Sequence, residues 1–331
     1  MTRVSGVEWT DLAGAAQIIA PGALIVDDFQ KEITDALRRN SVLDARLNYT
    51  PATGDFSTYY EQVSLKNGDF VDPRNPTATP ADNQRVPRSA KVKALTNQVN
   101  FGHYDLTLAQ QQNNFPELKA KDVNDMINGI TLAHGKGLWR GTDTALAAPT
   151  TLQYVGIPKQ ITNKFTIAPE TSIVAGIRAK VAAMVASENY LSRPTAIYID
   201  PIGHYYLEQE QEEAANNNVQ ISGLSKTVVA GLEVMAIMTS AGIIPIIPEP
   251  FMLSAVSTTD AGMTEYGIAI VTESMLEYHY VGRKDAFLFE LGRAEDLQIK
   301  YIGIKYGAPV VKGGAYAHAY GKIIRPTIQA I

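Results

Sequence analysis

Five histidines, one lysine flanked by glycines and one run of glutamates are the residues of this 331-residue sequence whose types could do chemistry. His103, His134, His204, His279 and His318 are scattered along the chain. No two of them stand at metal-ligand spacing, and there is no HExxH pair. His134 falls on the apolar side of a helical pattern, which is the place of a core histidine rather than a ligand. Gly135-Lys136-Gly137 lacks the glycine spacing and the following Ser or Thr with which a Walker loop holds phosphates and Mg²⁺. No GxGxxG follows a strand pattern, and no GxSxG elbow occurs. The run Glu208-Gln209-Glu210-Gln211-Glu212-Glu213 is dense in carboxylates, but a calcium loop needs alternating ligands and a turn glycine. It reads as the solvated face of a helix. The absence of cysteine excludes disulfides, thiol catalysis and thiolate metal sites. This reading assigns no catalytic, cofactor-binding or metal-ligating residue and no cofactor, so the expectation is a protein that is not an enzyme.

The bulk composition fits a folded chain with a structural role. Hydrophobic residues make up 45% and charged residues 19%, enough to build a core in one large domain or two intertwined ones. Apolar runs such as 242–247 are too short to span a bilayer. Residues 1–20, with Arg3, Trp9 and Asp11, lack the basic start and continuous apolar stretch of a signal peptide. The sequon Asn48-Tyr49-Thr50 is therefore expected to carry no glycan. Net charge is −5, and no segment is strongly basic, which argues against groove-specific DNA binding.

The elements that would position any site follow from periodicity and punctuation. Ile18 to Pro21 is expected to be extended, since a residue before proline avoids the helical region. Ile25, Phe29, Ile33 and Leu37 recur every four residues and predict an amphipathic helix from Ala23 to Asn40. Residues 51–92 change character: prolines at 51, 73, 76, 80 and 87 and many polar residues lie between strand-like pieces near 56–63 and 89–95. That pattern predicts a long excursion without a core of its own. The clearest helix spans 115–140, with Pro116 in its first turn and Val123, Met126, Ile127, Ile130, His134 and Leu138 on one face. Gly129, Gly135 and Gly137 are poor helix formers there, placed either for close packing or, at Gly129, for a local bend. A second helix carries Ile173, Ile177, Val181 and Met184, a short buried strand lies in 196–201 where Pro201 stops it, and an acidic helix runs over 202–215. Strand-like stretches follow at 228–238, 243–247, 267–272, 277–281, 298–306 and 315–324. Tyrosine is abundant, with Tyr301, Tyr306, Tyr316 and Tyr320 late in the chain, a type at home on strands and at interfaces.

Taken in order, these strings resemble the major capsid protein fold of tailed bacteriophages, the Hong Kong 97 type, which encapsulins share. Ile18-Ile19-Ala20-Pro21-Gly22 is similar to the arm's entry into the body. Leu138-Trp139-Arg140-Gly141-Thr142-Asp143-Thr144 followed by Gly156-Ile157 resembles the end of the family's spine helix. Arg193-Pro194-Thr195-Ala196-Ile197-Tyr198-Ile199-Asp200-Pro201 and Val229-Ala230-Gly231-Leu232-Glu233-Val234 with Ile246 and Pro248 resemble strands of its axial domain. The likeness covers about residues 15–331.

The resemblance implies an α+β chain: N-terminal arm over 1–50, E-loop hairpin over 51–92, and first part of the P-domain over 93–164 with the spine helix at about 116–138. An A-domain over 165–305 and P-domain return strands over 306–331 would complete it. It implies a major head protein that self-assembles through hexamers and pentamers into an icosahedral shell around double-stranded DNA, which it does not bind specifically. Expected partners are a scaffolding protein, a portal and a decoration protein; the expected location is the virion, after assembly in the host cytoplasm, with no membrane. No long charged helical region resembling a built-in scaffold precedes the arm. The family also knows a crosslink between an E-loop lysine and a neighbour's asparagine. Lys66 is of the right type, but 290–305 contains no asparagine, so no crosslink is carried over. Two rivals stand: an encapsulin-type compartment, whose members tend to be shorter with an inward N-terminal helix, and an α/β enzyme or ligand-binding protein without a linear motif.

Overall fold

The computed structural model describes residues 40–62, 70–77, 83–102, 115–187, 192–216, 224–229, 232–291 and 298–328, with the single residues 68 and 104. The extended entry at 18–22, the helix expected from Ala23, Lys66 and His103 lie outside the described residues. The chain mixes helices and strands, as expected of an α+β fold, and divides into two compact units. No helix among the described residues is long and apolar enough to cross a membrane.

The larger unit takes its described residues from 39–95, 132–284 and 306–331. Its centre is an eight-stranded mixed sheet, built from β5 (Lys164–Ile167), β6 (Ala196–Ile199), β7 (Leu224–Val229), β8 (Leu232–Thr239), β9 (Gly242–Pro248), β10 (Ser254–Val256), β11 (Met263–Val271) and β15 (Ala319–Pro326). The order is β5-β15-β11-β6-β9-β8-β7, with β10 on β11. β6 is buried at every residue because both sheet faces are covered. Ile197 and Ile199 join Ile268, Ile270 and Ile323 under α3 (Ile173–Val185) and α4 (Pro201–Asn216). Ala196 and Tyr198 join Ala269, Val271 and Tyr320 on the other face, against Leu138, Trp139 and Tyr154. Each fully buried isoleucine stabilises by about 1.5–3 kcal/mol, so these two layers carry the unit.

Helix α3 begins where sequence chemistry directs. Ser172 caps it by accepting from the Ala175 amide at 3.3 Å, and Glu210 of α4 accepts from the Ile173 amide at 2.8 Å. Its expected apolar stripe, Ile173, Ile177, Val181 and Met184, is buried. Two further antiparallel and parallel pairings extend this unit. β1 (Asn48–Pro51) pairs parallel with β12 (Leu276–Tyr280), and β12 pairs antiparallel with the last residues of β14 (Gln298–Val311).

The smaller unit takes its described residues from 96–131 and 285–305. β13 (Phe287–Leu291) pairs antiparallel with the first residues of β14, and β4 (Lys93–Gly102) pairs with the same strand. Val99 and Phe101 pack with Met126, Tyr301, Val123 and Ile299. Helix α1 (Phe115–Arg140) supplies Met126 and Ile130 to this unit and His134, Leu138 and Trp139 to the other.

Several boundaries differ from the expected ones. The stretch expected as one strand over 228–238 is two antiparallel strands, β7 and β8, with Val229 opposite Leu232. A hairpin and a long strand share the same period-2 pattern, so composition does not separate them. Ile127, expected on the buried face of α1, is exposed. Residues 41–50, read with the arm, belong to the larger unit. Residues 285–305 cluster with 96–131, and β15 lies in the large sheet between β5 and β11.

Candidate functional site

The residues singled out for chemistry are dispersed. His134 is fully buried, edge-on to Tyr278 at 4.7 Å, with Nε2 donating to Asp44 at 2.9 Å. His204 stands beside Glu208 one helical turn on, at 3.3 Å. His318 donates from Nε2 to the Lys312 carbonyl and accepts at Nδ1 from the Thr272 amide. Burial pulls its pKa down to about 4, so the ring is neutral. In the acidic run, Glu208, Gln211, Glu212 and Glu213 are exposed and Glu210 serves the α3 cap. Among the described residues no group of three or more His, Asp or Glu could hold a metal ion.

What the sequence brings together instead is a set of clamps around an exposed hairpin. β2 (Phe56–Gln62) and β3 (Arg85–Lys91) are antiparallel, with Phe56 opposite Lys91 and Gln62 opposite Arg85. Alternation divides them into two faces. Ser57, Tyr59, Glu61 and Ala90 turn toward the body of the larger unit. The Ser57 hydroxyl lies 2.6 Å from Nδ1 of His279, whose Nε2 donates to Glu277 at 2.7 Å. Glu61 accepts from the Gly313 amide at 3.1 Å and from Arg88 at 3.1 Å. Ala90 packs on Ala308 and Val310 together with Tyr59 and Leu146. Burial, reinforced by Glu61, pushes the Tyr59 hydroxyl up to about 12. The opposite face presents Phe56, Thr58 and Tyr60 to solvent, Tyr60 at 73% exposure. The strand pair is thus held along one face, with the rings of Phe56 and Tyr60 exposed on the other.

A second clamp lies where α1 ends. Asp143 is fully buried and accepts from the Thr144 amide at 2.8 Å and from the Thr150 amide and hydroxyl at 3.0 Å each. Lys93 donates to it, and also to the Thr151 and Gln153 carbonyls. Burial alone would raise the Asp143 pKa; the Lys93 ammonium, the two amides and the Thr150 hydroxyl outweigh it and hold the carboxyl well below the usual range. The loop over 144–153 is thereby folded back onto the hairpin base, where Lys91 donates its amide to the Leu146 carbonyl at 2.9 Å.

A third clamp fixes the chain as it enters the body. Glu249, fully buried, accepts from the Ser41 hydroxyl and the Leu43 amide at 3.0 and 3.1 Å. Arg46 forks onto Glu273 at 2.5 and 2.8 Å, and Tyr198 donates to the same carboxylate at 2.6 Å. Leu43 and Leu47 are buried between these contacts. Of the three clamps, only the Thr142-Asp143 turn stood out in the sequence. Lys93, Glu249 and Arg46 find their partners at separations that no local pattern encodes.

No protein-family model matches the chain, and no curated protein matches it in sequence. Solved structures do match in fold. A chain of Gordonia phage Cozz aligns with a TM-score of 0.60 at 12% identity, covering 97% of this chain and 96% of that one. The capsid of a native GTA particle aligns at 0.56 and 10% identity, covering 94% and 98%. The holo-SrpI encapsulin complex from Synechococcus elongatus PCC 7942 aligns at 0.54 and 12% identity, covering 96% and 98%. The fold is therefore the Hong Kong 97 type that the ordered strings resemble, over nearly the whole chain.

Proposed function

We propose that this chain is the major capsid protein of a tailed bacteriophage, a shell subunit that assembles through hexamers and pentamers into the icosahedral head. The observation that carries the reading is full-length likeness to a phage chain and to a capsid, combined with a hairpin clamped along one face and bare along the other. A monomeric protein gains nothing from ordering a strand pair whose aromatic face stays in water. A shell subunit gains an arm that reaches its neighbour. No catalytic role is proposed. Double-stranded DNA is the proposed content of the shell, and a scaffolding protein, portal and decoration protein its proposed partners. The virion is its proposed location, after assembly in the host cytoplasm.

Electron microscopy of the purified chain tests this. Shells, hexamers or pentamers are expected; a monodisperse monomer at high concentration would overturn the reading. The encapsulin alternative, favoured by the likeness to the SrpI complex, is separated by content. Particles from the native source filled with protein cargo instead of DNA would select it.

A further inference from the structure

On the side of the large sheet turned away from α3 and α4, the strand faces near β5 are only partly covered. Phe165, Ile167, Ala319 and Ile323 turn toward the helices. Alternation therefore sends Lys164, Tyr320, Lys322 and Ile324 to the other side. The register sets them in rows: Lys164 opposite Tyr320, and Ile324 opposite Glu265 of β11. Lys159 of α2 (Ile157–Gln160) stands at the border of the resulting groove, about 830 Å³ in volume. The floor is apolar, from Tyr320 and Ile324. The walls carry Lys159, Lys164 and Lys322 against one carboxylate, Glu265, which pairs with Lys322. Lys164 lies 4.9 Å from the Tyr320 ring centre, and burial beside Lys322 lowers its pKa. The groove is thus an apolar slot short of negative charge in a chain of net charge −5.

The other face of the same two strands carries α4. Leu207 is buried beneath it, while Tyr205, Glu208 and Glu212 are exposed. Spacings of three and four place those three on one stripe, an aromatic ring followed by two carboxylates. We propose that the groove receives this Tyr205–Glu208–Glu212 face of α4 from a second copy of the chain. The inference rests on the shell-subunit reading and names one contact within its rings. Groove and stripe match in kind: ring to apolar floor, carboxylates to lysines. Because they lie on opposite faces of β11 and β15, each copy offers its groove to one neighbour and its helix to another. Such a contact is heterologous and propagates into a ring or filament instead of closing as a pair.

Charge reversal of the full chain tests it. Lys164→Glu with Lys322→Glu, and separately Glu208→Lys with Glu212→Lys, should each lower the yield of rings or shells at least about tenfold, because like charges meet across the contact. Mixing the two variants in equal amounts should restore rings, since alternating copies are complementary. Variants that assemble like wild type, or folded variants that fail to rescue each other on mixing, overturn the contact and leave the shell reading standing. A wild-type chain that forms no oligomer overturns the shell reading itself. A groove variant that still assembles but loses retention of duplex DNA assigns the groove to nucleic acid and also overturns the contact. Should circular dichroism show that the reversals misfold, Lys322→Gln and Glu212→Gln decide. If the residues meet, the combined change lowers yield no further than either alone; additive losses overturn the proposal.

Discussion

Asp143 and Lys93 lie fifty residues apart in sequence, yet both side chains of their ion pair are buried, 0% and 8% exposed. Removing one partner leaves the other buried and uncompensated, a loss of about 3–5 kcal/mol. Asp143→Asn is therefore expected to lower the unfolding free energy of the unassembled chain by that order at pH 7. The deficit should depend on pH in a fixed direction. The folded carboxyl titrates below the unfolded one, so its contribution is present above pH of about 4 and fades as acid protonates it. In urea titrations the gap between wild type and Asp143→Asn should begin to narrow below about pH 4 and go on narrowing as the pH falls further, without closing by about pH 3; a constant gap would show that the charge is not what matters. His318 acts in an earlier window. Its folded pKa of about 4 lies below that of a free histidine, so acid draws the unfolded state on from about pH 6.5 downward. Gly141 tests the same corner sterically. A Cβ there would meet the Tyr154 carbonyl oxygen at 2.4 Å and the Gly156 nitrogen at 2.8 Å, both backbone atoms that cannot swing aside. Gly141→Ala should cost about 1–3 kcal/mol or more, seen as a lower thermal midpoint. A midpoint at or above that of wild type would mean the corner relaxes freely.

The three glycines of α1 take on meaning only with their neighbours in place. Gly135 faces Ser41 and Phe251, Gly137 faces the Tyr154 ring, and Gly129 faces the Asn97 amide of β4. Asn97 donates across that gap to the Met126 carbonyl at 3.1 Å. Gly129→Ala would gain about 1 kcal/mol of helix propensity and push the Asn97 amide off a bond of similar net value. The expected result is near neutrality in the wild-type background and stabilisation of up to about 1 kcal/mol when Asn97→Ala is already present. Equal effects in both backgrounds would disconnect Gly129 from Asn97 and return the bend to consideration. The hairpin of β2 and β3 makes a separate prediction. Its described tip residues, Phe70 among them, are exposed, so limited proteolysis of unassembled chains should cut first within 63–84, and assembly should protect those bonds. Equal cleavage in both states would remove the hairpin from the interface. Elements of this kind were legible where periodicity was strong and local. The bounds of α1 and the apolar stripe of α3 agree with the sequence pattern, and β6 lies within the 196–201 stretch read as a buried strand, because their apolar residues are spaced for one face or packed on both. β1, β5, β10 and β13 were not legible. Each is short and defined by a distant partner, as Asn48 to Pro51 is by 277–280, and a strand of four residues carries too few alternations to stand out.

At the scale of the whole molecule, the fold was legible from the order of weak local strings, none sufficient alone, whereas the surfaces that would join copies were not. Complementarity between two faces of one unit exists only after folding has set β15 between β5 and β11. The same scale decides how a shell of such subunits would be held. The chain has no cysteine, so copies cannot be linked by disulfides. An isopeptide bond would need a lysine and an asparagine brought together across neighbours, and 290–305, where the family's crosslink finds its partner, offers no asparagine. Without a covalent link, cohesion would come from repeated contacts such as aromatic hairpin faces, charged grooves and strand edges, each modest and multiplied around every subunit. Multiplicity makes such a shell resistant to dilution, because one contact reopens while the others hold. It gives no resistance to a denaturant that unfolds every subunit at once. Particles boiled in dodecyl sulfate are accordingly expected to run as a single band at the chain mass of 36.0 kDa. A ladder of dimers and higher multiples surviving that treatment would show a covalent link, and peptide mapping of the ladder would name the lysine and its partner.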